Sequence, residues 1–310
     1  MIKVSDLHLQ YGKKVVLDDI SFEVKKGQTV GLLGKNGAGK SSLMNAIAGY
    51  NCPASGTILI DGIDIQKNPK QAKRKIGYLP EIPPIYKDMS VNEYLTFAAK
   101  IKGIKEYKEE VLRVVSLLNL GNNQNIWIKR LSKGTQQRVG LGAALMGNPP
   151  ILILDEPLVG LDPAESKRTR EIIRSLKKDH AIIISSHILK EIEELCNEIR
   201  MIKDGKLVLD SSTKQLRKHN HQNVYCLHVK GEQKKIQDCL EKFEFVTEVL
   251  CHLEIEDAVH EFVIQTKSAK DARERLFQYL VKKNFIVYEI KNQEASLEEI
   301  FMDANTKEEK

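Results

Sequence analysis

Thr29-Val-Gly-Leu-Leu33 runs directly into Gly34-Lys-Asn-Gly-Ala-Gly-Lys-Ser41. An apolar run, a glycine-rich loop and a terminal Lys-Ser are the strand, loop and helix opening of a phosphate-binding P-loop. Its glycines let backbone N–H groups close around phosphate oxygens, Lys40 reaches the β and γ oxygens, and the Ser41 hydroxyl is placed to ligate Mg²⁺. The helix expected from about Lys40 to Ala48 aims its positive end at the same anion. Gly34, Asn36, Gly37, Ala38, Gly39, Lys40, Ser41 and Ser42 are therefore the expected phosphate contacts of a nucleotide-binding protein.

A P-loop serves kinases, GTPases, motors and transporters alike, so the rest of the chain has to discriminate. Ile151-Leu-Ile-Leu-Asp-Glu-Pro157 is an apolar run that ends in two carboxylates, as expected of a buried parallel strand delivering acids to its C-terminal edge. Asp155 is assigned to Mg²⁺, directly or through water. Glu156, one residue on, is assigned to polarise the attacking water.

Leu131-Ser-Lys-Gly-Thr-Gln-Gln-Arg-Val139 lies between these two sites, and Gly160-Leu-Asp-Pro163 and Ser185-Ser-His187 lie beyond them. In that order the segments resemble an ATP-binding-cassette (ABC) ATPase: Walker A, signature, Walker B with its glutamate, D-loop and H-loop. The resemblance covers about residues 1 to 215. It implies an ATP hydrolase with ATP and Mg²⁺ as ligands, Tyr11 stacking on adenine, and Glu81 in Ile76-Gly-Tyr-Leu-Pro-Glu81 as a further metal ligand. It also implies that His187 contacts the γ-phosphate and holds the geometry. Ser132 and Gly134 would face the γ-phosphate of ATP bound to a second cassette, and Asp162 would link the two sites. With both halves of the composite site intact, a homodimer is the simplest assembly.

Several positions depart from the family pattern. The signature carries Lys133 where glycine is usual and Thr135 where glutamine or a similar residue is usual, while keeping Ser132 and Gly134. Lys133 either adds a cation beside the phosphate or points into solvent. Glu81 replaces the usual glutamine; a carboxylate still ligates Mg²⁺ or orients water. Leu158 stands where threonine is common and touches no catalytic step.

The chain has 310 residues with 48 Lys+Arg against 42 Asp+Glu, a net charge of +6. Residues 219–310 hold 13 Lys+Arg and 18 Asp+Glu, a net of −5, which leaves +11 for residues 1–218. The basic residues are dispersed, which reads as a solvating surface, and no nucleic-acid partner is expected. Five scattered cysteines without a Cys-x-x-Cys pair argue against a disulfide framework and a zinc site, and suit a reducing cytoplasm. No apolar run approaches the roughly 18 to 20 residues needed to span a bilayer, and the N-terminus has no signal-peptide pattern. Any membrane span must come from another chain.

The expected fold is α/β: a P-loop NTPase ABC cassette over 1–218, with a RecA-like core, an antiparallel β subdomain and a helical subdomain at about 82–148. Strands are expected over 2–9 and 15–24, and a helical pattern from Ser90 to about Gly121 opens with the capping box Ser90-Val-Asn-Glu93. Asp162-Pro-Ala-Glu165 starts another helix with an N-cap, a proline at N1 and a capping glutamate. Residues 219–310 read as βαββαβ: strands near 224–229, 246–255, 261–266 and 285–290, helices near 234–243 and 269–282. That order suggests a ferredoxin-like α+β domain. It shows no cluster of metal ligands, and His219, His221 and His228 read as solvated. Ser296-Leu-Glu-Glu299 is expected to cap a last helix before a charged tail.

The Tyr-Leu-Pro-Glu81 and Leu131-Ser-Lys-Gly134 forms, together with a domain ending in Ser296-Leu-Glu-Glu-Ile-Phe301, resemble the separate ATPase subunits of type-2 ABC exporters. This implies an integral-membrane permease partner that docks a short helix near Ile82 to Met89, and a location on the inner face of the membrane. The rival reading is a soluble ABC ATPase acting on the ribosome or DNA. The short segment between Walker A and signature has no room for the long insertions of the DNA-acting relatives. A small-molecule kinase leaves Leu131 to Val139 and Ser185 to His187 unexplained.

Overall fold

Every residue of β3 (Thr29–Leu33), β7 (Ile151–Leu154) and β8 (Ala181–Ser185) is buried, as unbroken apolar runs must be when a parallel sheet is covered on both faces. In the computed structural model these strands pair in parallel with β6 (Ile76–Leu79) and β9 (Glu198–Lys203). An antiparallel edge strand, β10 (Lys206–Ser212), completes the order β10-β9-β3-β8-β7-β6. A second, antiparallel sheet has the order β2-β1-β4-β5, from β1 (Ile2–Tyr11), β2 (Lys14–Val24), β4 (Ser55–Ile60) and β5 (Ile63–Asp64). One apolar core joins the two sheets, with Leu17, Ile20 and Ile58 of the second meeting Val30, Ile153 and Ile183 of the first.

The structure describes residues 1–213, 215, 224–256, 258–267 and 271–292. Contacts divide the chain into two units, 1–213 and 214–310; the expected boundary at Lys218 lies outside the described residues.

In the first unit α1 (Lys40–Ile47) follows the P-loop and α2 (Pro69–Lys73) precedes β6. The helical pattern from Ser90 resolves into α3 (Val91–Ile101) and α4 (Tyr107–Leu117), separated by Gly103 at φ 74°. Ser90 and Glu93 form the expected capping box: Ser90 N–H donates to Glu93 Oε2 (2.7 Å) and Glu93 N–H to Ser90 Oγ (3.3 Å). The first unit also holds α5 (Lys133–Leu145), α6 (Pro163–Leu176) and α7 (Leu189–Leu195).

The second unit runs β11 (Val224–Lys230), α8 (Gln233–Glu241), β12 (Val246–Glu256), β13 (Val259–Thr266), α9 (Arg273–Lys282) and β14 (Ile286–Asn292). Its antiparallel order β12-β13-β11-β14 is that of a ferredoxin-like sandwich. Tyr225, Leu227, Val229, Phe262 and Ile264 pack with Ile236 and Leu240 of α8 and with Leu276 and Leu280 of α9. Because strand side chains alternate, Cys226 and His228 fall on the opposite face.

That alternation corrects the expectation for His228. It is not simply solvated: its side chain is 22% exposed and paired with Glu261 and Glu289. With Cys226 and Glu261 it forms a group of potential metal ligands, which the linear spacing had hidden. His219, His221 and the helix expected from Ser296 lie outside the described residues.

Candidate nucleotide site

The carboxyl ends of β3 and β7 deliver the P-loop and the acid pair to one edge of the parallel sheet, the edge where open α/β sheets bind ligands. A cavity of 430 Å³ there is lined by Asn36, Gly37, Gly39, Lys40, Ser41 and Ser42 from the loop and α1, and by Asp155 and Glu156, His187, and Glu81 from three other stretches of chain. Ten of the expected site residues thus face one space. Gly39 caps α1 with φ 110°, and a Cβ there would lie 2.8 Å from Leu17 Cδ2 and 3.0 Å from the Val16 carbonyl. Only glycine combines that backbone angle with that approach.

Lys40 is 8% exposed. Its ammonium donates to the carbonyls of Gly34 (2.6 Å) and Lys35 (3.2 Å), so it is already aimed across the mouth of the loop. Burial holds its pKa below the ordinary lysine value, against the opposing pull of Glu156 and Asp155. A buried ammonium suits a phosphate oxygen, and the two carboxylates beside it suit a divalent cation accompanying that phosphate.

Asp155 is 5% exposed, and Ser185 Oγ donates to its Oδ1. The same hydroxyl accepts from the Glu156 N–H (2.9 Å). Ser185 was quoted in the sequence without a role. The signal that identifies it is register: Leu154 pairs with Ile184 in parallel, so the next residues, Asp155 and Ser185, are neighbours. Glu156 itself has φ 47°, a left-handed conformation costing on the order of 1–3 kcal/mol for a residue with a side chain. His187 Nδ1 lies 2.8 Å from Glu156 Oε2; because an ionised carboxylate only accepts, the proton sits on Nδ1. Val16 and Val159, not anticipated as site residues, supply apolar lining.

Other expected residues lie apart from this cavity. Tyr11 ends β1, is 49% exposed, and its hydroxyl accepts from Asn51 Nδ2 (2.6 Å). Ala38 is buried. Ser132 is the exposed N-cap of α5, and its Oγ accepts from the Thr135 N–H (3.2 Å). Gly134 is buried against α6: a Cβ there would come within 2.8 Å of Glu165 Cγ. Asp162 caps α6 through the Glu165 N–H (2.9 Å). The Glu165 carboxylate does not serve the expected capping role. It pairs with buried Arg138 (3.1 Å) and with Arg168 (3.1 Å), since an ion pair with two guanidinium groups outweighs a bond to one backbone amide. Lys133 folds its ammonium over Gly160.

Fold and cavity together define a P-loop nucleotide-binding cassette. The sequence matches the family described as ABC transporter over residues 17–159. The bacitracin transport ATP-binding protein BcrA of Bacillus licheniformis is 35% identical over 306 residues, covering 97% of this chain and 96% of that protein. The linearmycin resistance ATP-binding protein LnrL of Bacillus subtilis (strain 168) is 30% identical over 312 residues, covering 98% and 97%. A solved ATP-binding subunit of an ABC transporter is 31% identical with TM-score 0.65, over 71% of this chain and 92% of that one. The chain belongs to the ABC transporter family, as its ATP-binding and ATP-hydrolysing subunit. That sets aside the ribosome or DNA reading and the kinase reading. Among the described residues no helix is long and apolar enough to cross a membrane.

Proposed function

We propose that two copies of this chain close on ATP and drive a separate membrane permease that exports an antibiotic-like compound from the cytoplasmic side. The observation that carries the dimer is an incompleteness: Ser132, Gly134 and Asp162 do not line the cavity formed by the P-loop, Asp155 and Glu156. A second chain brought head to tail supplies them, with the N-terminus of α5 presenting its hydroxyl and free N–H groups to the γ-phosphate. Relatives named for bacitracin transport and linearmycin resistance support export and match both units along nearly their whole length. That shared length supports reading 219–310 as an accessory domain belonging to this transporter branch.

Ser41, Asp155 and Glu81 are three oxygen donors lining one cavity, and this hard donor set fits Mg²⁺. Bound there with the phosphates, the ion would neutralise charge on the β and γ oxygens. In the proposed mechanism Lys40 turns its ammonium from the loop carbonyls to the phosphates. Glu156, held by His187 and by Ser185, orients the water for in-line attack and accepts its proton; positioning and charge stabilisation supply most of such a rate enhancement. Tyr11 and Val16 lie on the same β1–β2 hairpin and are the proposed contacts of the base.

The permease contact proposed for Ile82 to Met89 is supported by large side chains exposed on this segment. Ile82 is 83% exposed and Tyr86 54% exposed. Beside this segment a cavity of 390 Å³ is lined by Tyr78, Leu79, Pro80, Pro84 and Tyr94. A short amphipathic helix suits such a groove. The test is to isolate tagged Glu156→Gln protein from detergent-solubilised native membranes in ATP and Mg²⁺, and to identify its companions by mass spectrometry. A multispanning protein in near-equal amount is expected. Ribosomal proteins or DNA without a membrane partner would overturn the reading.

A further inference from the structure

We propose that Cys226, His228 and Glu261 form a zinc(II) site on the face of the accessory sheet opposite α8 and α9, with Glu289 orienting the histidine. Cys226 and His228 stand two residues apart on β11, so both project from the face opposite α8 and α9. Antiparallel pairing sets Glu261 of β13 and Glu289 of β14 on either side of His228. The Sγ, ring nitrogen and carboxylate oxygen of the first three lie within 4.8 Å of one another.

The histidine is arranged as a ligand. Its Nε2 meets Glu261 Oε2 at 2.8 Å, while Nδ1 lies 3.3 Å from Glu289 Oε2. A metal-bound imidazole characteristically gives its other N–H to a carboxylate, which fixes ring and tautomer. Glu289 is itself held by Lys291, 3.3 Å away. Cys226 is 4% exposed and its thiol bonds to Glu261, so three different donor types converge on one point.

The donor set selects the metal. One thiolate, one imidazole and one carboxylate match zinc, whose ligands sit at about 2.0–2.3 Å in a tetrahedron. Such ligand atoms lie about 3.4–3.6 Å apart by that geometry, so side-chain shifts of about 1 Å complete the site. Zinc displaces both the thiol proton and the Nε2 proton to solvent as the S–Zn and N–Zn bonds form, leaving Nδ1–H on Glu289 and a fourth position for water. The ion then ties β11 to β13 by bonds between side chains, in addition to the backbone ladder.

The experiment uses the full chain without an affinity tag, stripped with a chelator. Zinc is titrated against a chromophoric competitor, and cobalt(II) serves as a spectroscopic probe. One zinc per chain is expected, with a thiolate-to-cobalt charge-transfer band. Cys226→Ser should lose the band and weaken zinc binding at least tenfold, and Glu289→Gln, which leaves all three ligands in place, should weaken it about 10- to 100-fold. Circular dichroism establishes that each variant is folded. Failure of the wild-type chain to bind zinc, or zinc and cobalt signals unchanged in folded Cys226→Ser, would overturn the proposal.

Discussion

The two units assemble their polar clusters by opposite means. In the cassette, residues from distant stretches of chain converge because parallel strands all end at the same edge, where loops carry the chemistry. In the accessory unit, Cys226, His228, Glu261 and Glu289 meet in mid-strand, across antiparallel neighbours, with no loop involved. The first arrangement writes itself into the sequence as short motifs behind apolar runs. The second is written only in register, which no single stretch of sequence contains.

The comparison is tested most severely at Glu156. Glu156→Gln keeps the side-chain shape, and phosphate release should fall by about 10²- to 10⁴-fold, the usual contribution of a positioned base. Nucleotide should remain bound, read by filter retention. If His187 acts through Glu156, as proposed from their 2.8 Å contact, adding His187→Ala to that variant should cost much less than His187→Ala costs alone. Full additivity would separate the two roles.

Next in size is Phe262→Ala. Phe262 is fully buried between sheet and helices of the second unit, and truncation should cost about 3–5 kcal/mol. Calorimetry should show the accessory transition lowered while the cassette transition stays in place. A joint shift would show that the two units unfold as one.

Ser90→Ala removes one half of a capping box and should cost about 1 kcal/mol, read as a lowered cassette transition. Smaller still is the pH effect of His180, which is 2% exposed with Nδ1 2.7 Å from the Pro149 carbonyl. Burial depresses its pKa, so the unfolded chain takes up a proton more readily than the folded one. The associated stability is present above the unfolded value of about 6.5 and is lost as pH falls below it. Thermal unfolding at stepwise lower pH should therefore show a steeper decline for wild type than for His180→Gln.

Much of the cassette was legible because its signals are local. Asp162 to Glu165 fixes a helix start by residue type alone, and Ser90 with Glu93 does the same for α3. The βαββαβ order was also legible, since apolar alternation and helical spacing survive in a single sequence. What escaped depends on pairing. Ser185 became a partner of Asp155 only once β7 and β8 were set in register, and His228 gained its two carboxylates in the same way. The fate of Glu165 was hidden because its competitor, Arg138, stands 27 residues away.

That last contact has a mechanical meaning. Gly134 admits no side chain between α5 and α6, and the Arg138–Glu165 pair is buried, at 5% and 13% exposure. The signature and the D-loop therefore sit at the ends of one stiff bar rather than on two hinged arms. A displacement of α5 is expected to carry the start of α6, and Asp162 with it.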